Sequence, residues 1–276
     1  MKLRHVIIGL TLLVGVTLLG SIDVTISDRR GENIPLSESA VWKDASITRF
    51  RVDNYNVQRG KGEDGVRDLT RAAAVLQGAD IAGIQELSGT LFYGWHSQAQ
   101  QLADHLQMGY LFAPTTWKWF QPYAGSALLS KFPVTAWEVE ALPARQDIDS
   151  APRKLITAEV EIRGRPVVLM VAHLDRRESN MMQLEYVFDK FVASEHPTIL
   201  MGDLNTDLNN ELIKLMLARP GVEDAIHNAI GSFWRLDWII TKGFDVLDGG
   251  HTPRGISDHA HYWVDLDFTA STSSQP

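Results

Sequence analysis

The stretch that most constrains this chain is His196 to Asp207, His-Pro-Thr-Ile-Leu-Met-Gly-Asp-Leu-Asn-Thr-Asp. Thr198 to Met201 is a short apolar run, β-branched at its start, and predicts a buried strand. Gly202 is then expected to let the backbone turn with no side chain in the way. Asp203 and Asn205 are two residues apart, so on extended backbone a carboxylate and an amide leave on the same side at the end of a strand. That pair suits a site that orients a water or a metal ion together with a phosphate oxygen. Taken alone it is more commonly an Asx turn, in which such side chains bond their own backbone, and the surrounding chain has to decide between the two.

The 276 residues, 45% hydrophobic and 22% charged, are enough to bury a sizeable core, and their organisation predicts one large domain over 47–270. There is no cysteine, which excludes a disulfide frame and a thiolate metal site. A formal charge of -8 argues against a generally basic nucleic-acid coat, although a local basic groove is compatible with it. Lys2, Arg4 and His5 precede an apolar run from Val6 to Gly20, the pattern of an export signal, so residues 1–22 are expected to be a signal peptide or signal anchor. The residues after the run lack a clean cleavage pattern, and Ile22 and Val24 extend it, so anchoring by residues 6–24 stays open. The expected location is periplasmic or extracellular. Residues 23–46 are polar and irregular and predict a linker or loosely docked arm; 271–276 predict a disordered tail.

Between these ends the pattern alternates. Ile47 to Val57 predicts a strand ending at Asn56, followed by a glycine-rich loop. Asp64 is expected to cap a helix that buries Val66, Leu69, Ala73 and Leu76. Asp80 to Glu86 predicts a strand with Glu86 at its carboxyl end. A helix over 97–107, a strand near Tyr110 and an aromatic loop through Trp117, Trp119, Phe120 and Tyr123 come next. Strands are predicted over Gly125–Ser130, Val134–Leu142 and Lys154–Ile162, with prolines between them. Arg165-Pro166 is expected to turn into a strand ending at His173. A helix over 179–194 follows, capped by Ser179 or Asn180, and Asn209 or Asn210 is expected to cap a shorter one ending near Ala218. The last strands, Arg235–Thr241 and Tyr262–Phe268, flank a loop expected to carry His251 and Ser257-Asp258-His259.

Asn56, Glu86, His173, Asp203 with Asn205, and Asp258 with His259 thus each fall at the end of a predicted strand or just beyond it. Strand ends in an α/β sandwich share a rim, where these groups can converge on one site; independent turn chemistry would scatter them over both rims. Asp237 lies within a predicted strand, where a buried partner such as His259 would relieve its burial.

In order along the chain, Asn56-Val57-Gln58, Asp80-Ile81 with Gln85-Glu86, Gly125 to Pro133, His173-Leu174-Asp175, Gly202-Asp203-Leu204-Asn205, Arg235-Leu236-Asp237 and Ser257-Asp258-His259 resemble the motif set of the endonuclease/exonuclease/phosphatase superfamily, the deoxyribonuclease-like fold. The resemblance implies an α/β (α+β) fold, a four-layer sandwich of two mixed β-sheets flanked by helices. It also implies metal-dependent hydrolysis of a phosphate ester. On that resemblance Glu86 is the main ligand of a magnesium ion, with Asp258 or Asn56 helping and manganese or calcium as substitutes. Asp203 aligns and deprotonates the attacking water, and Asn205 holds that water or a phosphate oxygen. His259, oriented by Asp237, and His173 donate to the non-bridging oxygens; which of them acts as acid or base stays open.

Two positions depart from the family pattern: Asp53 stands at a usually apolar place on the first strand, and His261 where a proline is common. Arg153, Arg165, Arg176 and Arg177 are candidates for a basic groove, with Arg153, Arg176 and Arg177 as candidate phosphate ligands. The expected substrate is a phosphodiester, in nucleic acid first or in a phospholipid headgroup or small molecule second. An inactive membrane-tethered binding module is the third reading. A monomer is expected.

Overall fold

Thr198–Asp203 forms strand β9, buried at all six positions. The computed structural model of the protein describes residues 29–32, 49–89, 97–115, 123–145 and 152–269. Signal segment, tail and most of the aromatic loop lie outside them. The other strands are β1 (Arg29–Glu32), β2 (Phe50–Asn56), β3 (Ile81–Gly89), β4 (Gly109–Pro114), β5 (Tyr123–Ser130), β6 (Val134–Ala141), β7 (Lys154–Ile162), β8 (Arg165–His173), β10 (Val222–Asp224), β11 (Asp237–Lys242), β12 (Phe244–Thr252) and β13 (His261–Phe268). The helices are α1 (Leu69–Val75), α2 (Gln98–Leu106), α3 (Asn180–Ala193), α4 (Glu211–Leu217) and α5 (Ala225–Ile230). No helix among the described residues is long and apolar enough to cross a membrane.

Two mixed sheets result. One has seven strands in the order β1-β6-β7-β8-β9-β11-β10, the other six in the order β12-β13-β2-β3-β5-β4. Each contains a single parallel pair, β8 with β9 and β2 with β3. Alternation sorts the side chains: Phe50, Val52 and Ile81 of one sheet meet Leu169, Val171, Ile199, Met201 and Ile239 of the other in a central core. On the outer side of the seven-stranded sheet, Met170, Leu200 and Trp238 pack against Leu184, Val187, Phe188 and Phe191 of α3. Outside the six-stranded sheet, Tyr55, Ala82 and Ile84 meet Ala72 and Ala73 of α1 and Leu102 of α2. The result is the four-layer sandwich that the motif order implied.

Gly202 serves a different purpose from the turn expected of it. It lies within β9, paired with Ala172 of β8, and a Cβ there would sit 2.1 Å from the Ala172 carbonyl oxygen. The glycine lets two parallel strands approach just below the site. Gly202→Ala is therefore expected to destabilise by about 3 kcal/mol, the upper end of overpacking effects, as a lowered urea midpoint with unchanged m.

Several local expectations are corrected. Asp64 does not cap α1: its carboxylate accepts the Val66 N–H and pairs with Arg71, Val66 is exposed, and Asp68 caps the helix by accepting the Thr70 N–H. The turn before β8 is made by Arg163 and Gly164, both at positive φ, and Pro166 lies inside the strand. Ser179 holds the N-cap position of α3 without a capping bond, because its hydroxyl accepts the Arg145 N–H instead. Asn210, not Asn209, caps α4. β11 begins at Asp237 rather than Arg235. His251 lies in β12, not in a loop. Within the expected linker, Arg29–Glu32 pairs with β6 as an edge strand.

The two departures from the family pattern turn out to be partners. Asp53 and His261, both buried, meet at 2.6 Å between Oδ2 and Nε2 on adjacent strands β2 and β13. The buried carboxylate is tolerated because the His261 imidazole, placed diagonally to it across the strand pair, bonds it; the residue directly opposite Asp53 is Trp263. His261→Ala should cost about 3 kcal/mol by leaving that carboxylate without its partner, and adding Asp53→Asn should recover part of the loss in urea titrations.

Candidate active site

Register places the first half of the site. His173 ends β8, Asp203 ends β9 and Asp237 starts β11, and Asp203 is the direct neighbour of both. Three polar side chains thus stand in a row on one face at one rim of the seven-stranded sheet. The Asx turn and the site coexist at Asp203, one oxygen each. Oδ1 accepts the Asn205 N–H at 3.0 Å, while Oδ2 accepts from Asn56 Nδ2 at 3.0 Å and lies 3.4 Å from His173 Nε2 and 3.7 Å from His259 Nε2. Asn205, at φ 48°, donates its Nδ2 to the Leu174 carbonyl. That bond ties the β8 and β9 loops together.

The opposing sheet supplies the other half. Asn56 ends β2, and β3 carries a bulge in which Gln85 and Glu86 span the register break between Ile84 and Leu87. Glu86 adopts φ 58°, a left-handed conformation that costs a non-glycine residue about 1 kcal/mol. The bulge re-aims its side chain, and Asn56 Nδ2 donates to Glu86 Oε1 at 3.3 Å as well as to Asp203. The Asn56 oxygen is held by the Gln58 N–H, which can only donate, so the amide is fixed with its NH₂ between the two acids. Asn56 therefore presents no oxygen toward Glu86 here. Ser257 donates its hydroxyl to the Asn56 carbonyl and pins the loop carrying Asp258 and His259 to the end of β2. Asp258 accepts from Gln58 Nε2 at 2.7 Å, one step away from the Asn56 amide.

Burial and charge set the protonation states. Burial and the Asp237 charge raise Asp203 to about 6, against the opposing pull of His259 and the bonds from Asn56 and Asn205. Burial alone would lower His259, yet its 2.8 Å bond from Nδ1 to Asp237 Oδ2, with the charges of Asp237 and Asp203, lifts it to about 9. Burial raises Asp237 as well. His173 goes the other way: burial and the neighbouring Arg153 hold it well below the ordinary histidine value. Near neutral pH the same carboxylate oxygen thus faces one imidazolium and one neutral imidazole. A carboxylate poised near 6 is suited to accept a proton.

The donors fit a hard divalent cation. Two carboxylates, Glu86 and Asp203, face each other across one amide, and carboxylate oxygens are what such ions take. Asp203, Asp237 and His259 also each bring one possible ligand atom within 4.8 Å of the others. In that group Asp237 and His259 already bind each other, the arrangement of an imidazole and its orienting acid. Glu86, with its oxygens met among the described residues only by the Asn56 amide N–H, is the better ligand.

Beside Glu86 and His173 opens a cavity of about 260 Å³ whose further polar lining is Arg59, Thr115, Ser126, Arg153 and Lys154. Arg59 and Lys154 were not singled out by the motifs; a cation beside a glycine in the loop after Asn56 was the available signal for the first. Arg153 is in place beside His173, and Arg176 and Arg177 are exposed on the loop after it. Arg165 is not part of any groove at this rim. It lies at the opposite end of β8, 4.0 Å over the Phe268 ring.

The sequence matches the model of the Endonuclease/Exonuclease/phosphatase family over residues 54–259. No curated protein matches it. Among solved structures, an endonuclease/exonuclease/phosphatase from Beutenbergia cavernae superposes with TM-score 0.66 at 22% identity, covering 81% of this chain and 72% of that one. A mannosyl-6-phosphatase from Bacteroides thetaiotaomicron gives 0.60 at 18% identity over 79% of this chain and 100% of that one. The human Nocturnin catalytic domain with bound sulfate gives 0.61 at 16% over 90% and 97%. These similarities concern the fold.

Proposed function

Because the chain belongs to the endonuclease/exonuclease/phosphatase family, we propose that it is a divalent-metal-dependent phosphoester hydrolase, acting outside the cytoplasm on a compact phosphate ester. The observation that carries the reading is Asp203 Oδ2, held by Asn56 between His173 and His259 and facing Glu86 across the same amide. A phosphate seated over this oxygen meets a base and two imidazoles at once.

Asp203 takes a proton from the attacking water as the water oxygen bonds to phosphorus and the bond from phosphorus to the ester oxygen breaks; that oxygen leaves with the organic part and takes its proton from solvent. His259, protonated and locked by Asp237, donates toward the oxygens on which charge builds, and neutral His173 offers a second N–H from the opposite flank. A cation held by Glu86, with Asp258 nearby, would supply charge neutralisation on the phosphate, with magnesium the first choice. Asn56 keeps the two acids apart and oriented. Location outside the cytoplasm is supported by the basic-then-apolar pattern of residues 2–20.

A compact ester is favoured over a polymer by the formal charge of -8, by the distant placement of Arg165 and by the small cavity. Nucleic acid is the second reading, favoured by exposed Arg176 and Arg177 just beyond His173; it predicts hydrolysis that falls steeply with added salt. The test is a hydrolysis screen over sugar and inositol phosphates, phospholipids, DNA and RNA, with Asp203→Asn as the blank. Turnover that needs magnesium, stops with EDTA and is lost in the blank is expected. Turnover indifferent to both, or none on any ester, would overturn the reading.

A further inference from the structure

We propose that Arg59 and Arg153 form an anion subsite in the cavity beside His173, which selects phosphate esters carrying a second negatively charged group on their organic part. The proposal rests on the hydrolase reading and names its substrate class.

His173 faces Asp203 on one side and lines the cavity on the other, so a substrate whose phosphate sits over Asp203 extends its remaining part into this space. Three cationic side chains, Arg59, Arg153 and Lys154, line it against one carboxylate, Glu86. Arg153 comes from the segment just before β7, and its Nε is buried without a hydrogen-bond partner among the described residues. The nearby charges acting on it are Asp175, Asp203, Glu86 and Arg176, and none of these carboxylates bonds its guanidinium among the described residues. A guanidinium left half-buried in this way is a costly arrangement unless a ligand completes it.

Arg59 reaches the same cavity from the opposite sheet through a strained turn. Gln58 and Arg59 take φ of 44° and 58° in succession, a conformation that non-glycine residues hold only when their surroundings fix it. The surroundings do so: the Gln58 N–H bonds Asn56, its side chain bonds Asp258, and the Arg59 carbonyl accepts from Gln98. This holds an exposed arginine, with no ion pair among the described residues, at the cavity mouth. Ser126, opposite the Gln85-Glu86 bulge, adds a hydroxyl. About 260 Å³ is below the roughly 300–1,000 Å³ of drug-sized sites. It suits a phosphate or carboxylate on a few carbons.

Calorimetric binding in EDTA to full-length Asp203→Asn protein tests this without turnover. The probes are two pairs: fructose 1,6-bisphosphate against fructose 6-phosphate, and adenosine 3′,5′-bisphosphate against adenosine 5′-monophosphate. The bisphosphate of at least one pair should bind about tenfold or more tightly than its partner, the effect of charge-assisted hydrogen bonds to a guanidinium. The pair that responds tells a sugar from a nucleotide skeleton. Adding Arg59→Ala or Arg153→Ala should bring that ratio toward one, and Arg153→Lys should restore it in part. Equal binding within both pairs, or a preference that survives both alanine substitutions, would overturn the subsite. Magnesium-dependent hydrolysis of any ester in the screen by the unmodified enzyme, lost in Asp203→Asn, is read separately; it keeps the hydrolase reading standing when the subsite fails, and its absence on every ester refutes that reading alone.

Discussion

Asp203→Asn is expected to lower kcat by about 10²–10⁴-fold with a small change in KM, since the proton acceptor is lost while the phosphate contacts remain. The unsubstituted enzyme should show an acid limb with a midpoint near 6, where burial and the Asp237 charge place Asp203, and the residual activity of the variant should lack it. The same side chain makes the opposite contribution to stability. Its folded pKa lies above the ordinary 3.8, so the charged form is disfavoured by folding. That penalty is absent below about 4, grows as pH rises toward 6 and is fully present above it. In EDTA at pH 8 the Asn variant should therefore unfold at a urea concentration no lower than the parent. A large loss of both activity and stability would mean that Asp203 acts as a structural turn residue only.

Glu86→Gln should lower kcat/KM by about 10²–10³-fold and raise the magnesium concentration needed for half-maximal rate, because an amide oxygen replaces the carboxylate best placed to hold the ion. A second variant separates chemistry from folding. At φ 58° a glycine is unstrained, so Glu86→Gly should inactivate equally with little change in stability, the relief of about 1 kcal/mol of strain offset by the glycine's extra unfolded-state entropy. A residue kept for packing would show the reverse, lost stability with retained rate.

The four-layer arrangement is what the resemblance of the ordered motifs implies, whereas individual strands and their polar ends are legible because strand periodicity is a local property. Asn56, His173, Asp203 and His259 were legible as a set for that reason, and the Asp237–His259 pair followed from the rule that a buried acid needs a partner. What stayed hidden depends on contacts between distant segments. Nothing in Ile84-Gln85-Glu86-Leu87 announces a bulge or a left-handed Glu86; both come from pairing with β5. Asp53 and His261 lie 208 residues apart, so each looked like an isolated departure. Gly202 looked like a turn glycine because the Ala172 carbonyl that excludes a Cβ belongs to another strand. β12 is not legible because Asp245, Asp248, Gly249 and Gly250 lack strand character, and its pairing with β13 is itself bulged. The role of Arg59 is not legible because its place at the cavity follows from a strained turn fixed by Gln98 and Asp258.

The central claim is that the ends of two facing sheets assemble one cation-assisted phosphate site with Glu86 as the ion's ligand. Anomalous diffraction from crystals soaked in manganese tests it most directly. A single manganese peak bonded to a Glu86 carboxylate oxygen, on the Asp203 side of the Asn56 amide, is the predicted result. A peak seated among Asp203, Asp237 and His259 with Glu86 uninvolved, or no peak at this rim, would contradict the account.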